Sequence, residues 1–496
     1  MKPATRPLLT LPGRGLIDPA EDRTLPIGVY DVLLPCRKFR IDHKVAVLGR
    51  VSLTAEFLLR LLRSLEGLAE QDAAAFFGFD RREMSYVLGE VEELGFVERR
   101  EGRLWLTMQG HSLFRDGSPH PEIFDVEKRS ETVGFDLLSL APQQIRFLEN
   151  FERRLPELSL VDAGQVSSAA SRIPQSFRRF YSELASRREQ PLSGKKSLYS
   201  IDAVSAVDRF QSTVRIVLAA SGMQPSRAEV DLDEWRPDHE QDDRKDIRVA
   251  ASAFRDGLLT SRRPEDGEAY RTLIDLAPNF LKEFTRADGL SVERYYREAF
   301  TRAGEPRADR PTIPLLGSLF LHDNLRRLTE VLAYGLKAQG RPNCIVWTVP
   351  QVPHWGATAL LPSVLRQLVR AVGHPAPDRA GPVNRTVCVV AGKEGRHLED
   401  AFALVTRIDS PVLPRSLEIL LVPGILAAAA VHAPIGANSG LAVPLGLISF
   451  DPAVLERARE LLLNRCANIL PVEISDELDR SLALSPTSLA GPSLPG

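Results

Sequence analysis

Seven side chains near the start of the chain have types and spacing suited to gripping phosphate. Arg81, Arg82, Ser85 and Tyr86 stand close together, and Arg99, Arg100 and Arg103 form a second basic group soon after. A guanidinium presents a planar fork of donors that matches phosphate oxygens, and hydroxyls add single hydrogen bonds. A different candidate is solitary. His432 carries an imidazole that could attack phosphorus or move a proton, and it is followed by Ala433 and Pro434.

The first group needs elements to position it, and the local pattern supplies them. Thr54 is a candidate cap for a helix whose apolar stripe is Phe57, Leu58, Leu61, Leu62 and Leu65. A short helix at 70–77 follows, with Ala73, Ala74 and Phe77 inward and Gly78 ending it. Asp80 caps a third helix that buries Met84, Val87, Leu88, Val91 and Leu94. Its opposite face begins with Arg81, Arg82, Ser85 and Tyr86. Gly95 stops it, and residues 96–107 read as a β-hairpin turning at Glu101 and Gly102, with the three arginines at its tip.

This order, closed by Leu106-Thr107-Met108-Gln109-Gly110 and then Phe114, resembles the winged helix-turn-helix over residues 46–116. The resemblance implies that the third helix meets base edges and phosphates of duplex DNA while the hairpin acts as the wing. Glu83, Glu90, Glu92, Glu93, Glu98 and Glu101 offset the arginines. A protein-binding adaptor is therefore an alternative use of the same unit. The basic run Arg37, Lys38, Arg40 and Lys44 lies just upstream.

His432 needs a strand. The apolar run 417–424, then His432, and then Gly446 and Ser449 resemble one half of a phospholipase D-like domain. That resemblance implies a histidine nucleophile beside a lysine that holds phosphoryl charge. Pro434 stands in the lysine's place and Ser439 in the place of the family's aspartate. Losing such a donor costs on the order of 10²–10³ in rate. No second HxK occurs, and His322 and His397 fall at the starts of expected helices. Catalysis would require two copies of His432 paired across a homodimer.

The remaining chain sets the frame. Its 496 residues exceed one core and imply three or four domains. The expected fold class is α/β multidomain: an N-terminal winged helix, a mixed middle region and a C-terminal α/β sandwich. The expected boundaries are a lead-in arm at 1–45 with one strand at 27–34, the winged unit at 46–116, and a mixed α+β region at 117–305. An α/β domain with a largely parallel sheet follows at 306–475, then a flexible tail at 476–496. Within the middle region, helices are expected at 145–155 and 176–187, and strands at 196–202 and 212–220. In the C-terminal domain a helix is expected at 397–406.

Net charge is −2, so any nucleic-acid binding must be local. The four cysteines are far apart and lack zinc spacing, which suits reduced thiols in the cytoplasm. The acidic stretch 231–243 lacks the order of a calcium loop. No metal, cofactor or membrane span is expected. The reading is a non-catalytic DNA-binding protein, either a transcription regulator or the DNA-recognition subunit of a multi-protein system such as bacterial antiviral defence. Its C-terminal domain would dimerise, bind partners or sense a ligand. The alternatives are a phospholipase D-like nuclease using His432 and a winged-helix adaptor.

Overall fold

Phe39, Ile41 and Val45 alternate with polar residues, which is the signature of a half-buried strand. In the computed structural model that strand, β1 (Thr24–Leu48), is far longer than the alternation. At about 3.3 Å per residue it extends roughly 80 Å. The structure describes residues 24–48, 52–114, 121, 124–160, 163–188, 196–235, 245–301, 304–338, 344–372, 385–393 and 395–480. The expected lead-in arm is thus, from residue 24 on, the central strand of a sheet, and its first 23 residues lie outside the described ones.

A helical unit follows: α1 (Leu53–Ser64), β2 (Leu68–Ala69), α2 (Glu70–Phe77), α3 (Arg81–Glu93), β3 (Val97–Arg100), β4 (Arg103–Leu106) and α4 (Met108–Ser112). The three strands form a small sheet in the order β2-β4-β3. Leu58, Leu59 and Leu62 of α1 pack with Met84, Leu88 and Val91 of α3 and with Leu104 in a core of their own. The cap of α1 is Ser52, not Thr54, because the Ser52 hydroxyl accepts from the Ala55 amide. That shifts the buried stripe to Ala55, Leu58, Leu59 and Leu62, and it leaves Phe57 and Leu65 exposed.

The chain then returns along β1. Strands β5 (Phe124–Asp136) and β6 (Pro142–Gln143), helices α5 (Asn150–Arg153) and α6 (Ala163–Arg188), and strands β7 (Lys196–Ser221) and β8 (Ala228–Asp231) complete this part. Its sheet has the order β6-β5-β1-β7-β8. β1 pairs antiparallel with β7 from Thr24↔Ser221 to Val47↔Lys196, and with β5 from Cys36↔Asp136 to Leu48↔Phe124. Residues 52–114 are therefore an insertion between β1 and β5, carried at the far end of a three-stranded ribbon. There Phe39, Ile41 and Phe135 pack on Ile173, Phe177 and Tyr181 of α6. The two strands expected at 196–202 and 212–220 are one, and the helix expected at 145–155 shrinks to α5.

The near half of the ribbon enters the body of the molecule. That body adds α7 (Lys245–Asp256), α8 (Asp266–Leu276), α9 (Val292–Thr301), β9 (Thr312–Leu316), α10 (His322–Ala338), β10 (Cys344–Thr348), α11 (Leu360–Val372), β11 (Arg385–Ala391) and α12 (Leu398–Ala401). It ends with β12 (Leu404–Ile408), β13 (Leu417–Val422), β14 (Leu426–Ala433), β15 (Val443–Ser449), α13 (Pro452–Cys466) and α14 (Val472–Arg480). The seven-stranded sheet runs β9-β15-β14-β13-β10-β11-β12. β10–β11 and β11–β12 are parallel, and the other pairings are antiparallel.

The largely parallel sheet expected here is thus mostly antiparallel. The turn at Gly424 (φ 70°) joins β13 directly to β14, and a connection that short cannot join parallel strands. Both sheet faces are covered, so β13 and β14 are buried throughout. One of the two flanking cores includes Leu25, Val32 and Leu34 of β1 beside Val346, Ile419 and Val431, so the expected boundary at 305/306 divides a shared core. The helix expected at 397–406 is instead one turn, α12, followed by β12. Residues 476–480 of the expected tail belong to α14, where Leu478 is fully buried, and 481–496 lie outside the described residues.

Candidate functional site

Helix α3 begins where the sequence says it must. Asp80 Oδ1 accepts from the Arg82 amide at 2.7 Å and the Glu83 amide at 2.8 Å, while Glu83 Oε2 accepts from the Asp80 amide at 2.9 Å. This reciprocal box satisfies the free amides of the first turn and fixes its direction. Met84, Val87, Leu88 and Val91 then face inward, while Leu94 is exposed. Arg81, Arg82 and Ser85 point outward, and Tyr86 is 79% exposed. Neither Arg81 nor Arg82 has a carboxylate partner among the described residues.

The hairpin β3–β4 turns through Glu101 (φ 50°) and Gly102 (φ 74°), the pair of positive angles that matches strand twist in a two-residue turn. Its three arginines are used differently. Arg99 lies between Glu92 (3.1 Å) and Glu70 (3.3 Å), tying the hairpin to α3 and α2. Arg103 donates to the Gly67 carbonyl at 2.8 Å, ahead of β2. Arg100 pairs with its neighbour Glu98 and stays 69% exposed. The four α3 side chains and Arg100 therefore remain available at the surface, whereas Arg99 and Arg103 serve the unit's own architecture. Glu70 and Gly67 hold two arginines that sequence reasoning assigned to a partner, because pairing across separate elements has no local signal.

His432 sits at the end of β14 and is buried. Its Nε2 lies 2.5 Å from Glu418 Oε2 on the adjacent β13, and Glu418 Oε1 accepts from Trp347 Nε1 at 2.9 Å. The His432 amide donates to the Ser416 carbonyl at 2.7 Å. The imidazole is thus one member of a buried polar chain that links three strands of the sheet. Glu418 engages Nε2 alone, which fixes the orientation of the ring, and no second histidine is placed beside His432 among the described residues. His322 opens α10 and His397 directly precedes α12, so neither joins His432 on a strand.

Among the described residues no group of three or more His, Cys, Asp or Glu is placed to hold a metal ion, and no helix is long and apolar enough to cross a membrane. All four cysteines are buried free thiols. No family model matches the chain, and no curated protein or solved structure matches it.

Proposed function

We propose that residues 52–114 are a winged helix-turn-helix that engages duplex DNA. α3 would enter the major groove with Arg81, Arg82, Ser85 and Tyr86 at its leading end, and Arg100 at the hairpin tip would rest on the flanking backbone. The observation that carries this reading is the outward face of α3: a capped helix start bearing two arginines without carboxylate partners among the described residues, on a unit with its own core. The ribbon presents that unit away from the body, which would dimerise, bind partner proteins or sense a ligand. In this reading the protein is non-catalytic and works in the cytoplasm, as a transcription regulator or as the DNA-recognition subunit of a multi-protein system such as antiviral defence. We assign His432 no catalytic role in this reading, because Pro434 and Ser439 stand where the phospholipase D-like pattern needs its lysine and aspartate.

The test is duplex-DNA binding across a salt series. Wild type is expected to bind with a negative salt slope, and Arg81→Ala/Arg82→Ala to lose affinity together with roughly one to two units of that slope. Equal binding by both proteins would sink the proposal. A second reading has its own support. Residues 52–114 contain eleven carboxylates against seven arginines and no lysine, and Phe76 is 69% exposed. That composition suits a protein-binding adaptor, which predicts no duplex binding at any salt concentration.

A further inference from the structure

Helix α1 has two apolar faces, and the insertion's own core uses one of them. Ala55, Leu58, Leu59 and Leu62 pack inward with α3. Leu53, Phe57 and Leu61 follow one another at intervals of four along the same helix, and Leu65 continues the series at its carboxyl cap. Side chains four apart share one side of a helix, so these four make a second stripe roughly 18 Å long.

The second stripe faces solvent. Leu53 is 69% exposed, Phe57 44% and Leu65 52%, while Leu61 is half-buried, and none of the four belongs to the insertion's core cluster. Among the described residues, seven of the fifteen exposed large apolar side chains lie in residues 52–114, and three of those seven stand on this stripe. Such clustering on one element marks an interaction surface, where single scattered residues would not.

The border of the stripe is charged. Glu56, Arg60 and Arg63 stand at i, i+4 and i+7 along one flank. Glu56 and Arg60 pair at 4.0 Å, and the Arg60 guanidinium lies over the Phe57 ring at 5.1 Å. Arg63 meets His111 Nδ1 at 3.0 Å and the Phe114 ring at 5.6 Å, but no carboxylate among the described residues.

This surface is complementary to itself. Its spacing reads the same in both directions, so a second α1 laid antiparallel sets Leu53 against Leu65 of the second copy and Phe57 against Leu61 of that copy. A two-fold axis perpendicular to the helices brings the same charged flank of both copies together. Glu56 of each copy then stands beside Arg63 of the other and supplies that guanidinium with a carboxylate. A parallel pair would put the two flanks on opposite sides and lose this match.

We propose that a second copy of this chain docks antiparallel on the Leu53–Leu65 stripe of α1, so that the protein pairs through its insertion. The assignment stands apart from the DNA reading, since it uses none of the outward α3 residues. Four apolar and three charged side chains are far fewer than the roughly 20–30 residues per side of a standard interface, so a dissociation constant in the micromolar range is expected.

The experiment is sedimentation equilibrium of the full chain without DNA, up to about 200 µM. Wild type is expected to show a monomer–dimer equilibrium, and Phe57→Lys/Leu61→Lys to weaken it by on the order of tenfold or more. Leu53→Lys, at the most exposed position of the stripe, is expected to act in the same direction with an unaltered thermal melt, which separates loss of pairing from loss of folding. Glu56→Arg and Arg63→Glu are each expected to weaken the dimer, and the double exchange Glu56→Arg/Arg63→Glu to restore it. Arg81→Ala/Arg82→Ala is expected to pair as wild type does, whatever becomes of its DNA binding. A wild type that stays monomeric at the highest concentration overturns the proposal, as does a dimer that the stripe variants leave unchanged, which would move self-association to the body. A stripe-dependent dimer that the charge exchange fails to restore overturns the antiparallel pairing.

Discussion

Asp31 on β1 is 4% exposed, and its carboxylate accepts from Arg215 Nε at 2.9 Å, Thr358 Oγ1 at 2.9 Å and the Ala359 amide at 2.7 Å. It therefore pins the root of the ribbon to the start of α11. Asp31→Ala leaves the Thr358 hydroxyl and the Ala359 amide without this acceptor and Arg215 with only the more distant Glu234 at 4.0 Å, so a loss of about 3 kcal/mol is expected in urea unfolding. His397 makes a second, pH-dependent prediction. Burial pushes its imidazole below the ordinary value of 6.5, against the opposing effect of its 2.9 Å contact with the Trp355 carbonyl. The unfolded chain takes up a proton below pH 6.5 that the folded chain resists, so this contribution is complete above pH 6.5 and declines as pH falls toward the lowered folded value. Urea midpoints at pH 8 and pH 5.5 are expected to differ less in His397→Gln than in wild type. On the hairpin, Arg99→Ala is expected to lower the melting temperature of residues 52–114 while leaving the salt slope of DNA binding intact. That is the reverse of Arg81→Ala/Arg82→Ala, because Arg99 already has two carboxylate partners.

The elements show where local pattern carries structural information and where it stops. α2, α3 and the β3–β4 hairpin could be read directly, since each has one apolar face and is bounded by a residue with a specific backbone role: Gly78, Asp80, Gly95 or Gly102. The ribbon could not. Register shifts opposite Arg37/Phe39, Asp42/His43 and Lys44/Val45 break the period of two, and Leu198, Ile201 and Val204 consequently stand three apart on one continuous strand. The partners of Arg99 and Arg103 were hidden for a different reason, since Glu70, Glu92 and Gly67 lie on separate elements that only the fold brings together. Close packing between strands supplies a prediction at this scale. A Cβ on Gly446 of β15 would lie 1.8 Å from the Ala429 carbonyl oxygen on β14, and Tyr295 of α9 donates to the Gly446 carbonyl from above. Gly446→Ala must push two paired strands apart, so a loss of about 3 kcal/mol is expected, read as a lower melting temperature. Tyr295→Phe, which removes a buried hydrogen bond without adding volume, is expected to cost about 1 kcal/mol.

At the scale of the whole molecule the chain divides by core, not by sequence interval. Residues 24–36, the segment after β7 and the seven-stranded sheet share buried clusters, so the middle region and the C-terminal region cannot be separated at 305 without exposing Trp235, Ile247 and Tyr270. Residues 52–114 differ. Among the described residues, their core of Leu58, Leu62, Met84, Leu88, Val91 and Leu104 includes none from outside the insertion. Arg99 and Arg103 likewise find their partners within it. A unit with its own apolar cluster, and with Arg99 and Arg103 partnered inside it, is expected to unfold on its own, with the ribbon's pairing on β5 and β7 left to the body. Replacing residues 52–114 by a short Gly/Ser linker is therefore expected to leave the body folded, because β1 and β5 are already antiparallel neighbours and a hairpin can join them. In native-state hydrogen exchange of the full chain, α1 and α3 are expected to exchange together, with an opening free energy distinct from that of β13 and β14. A single cooperative unit, seen as one common opening energy for both regions, would show instead that the insertion depends on the ribbon, and would weaken any account in which it binds DNA as a module.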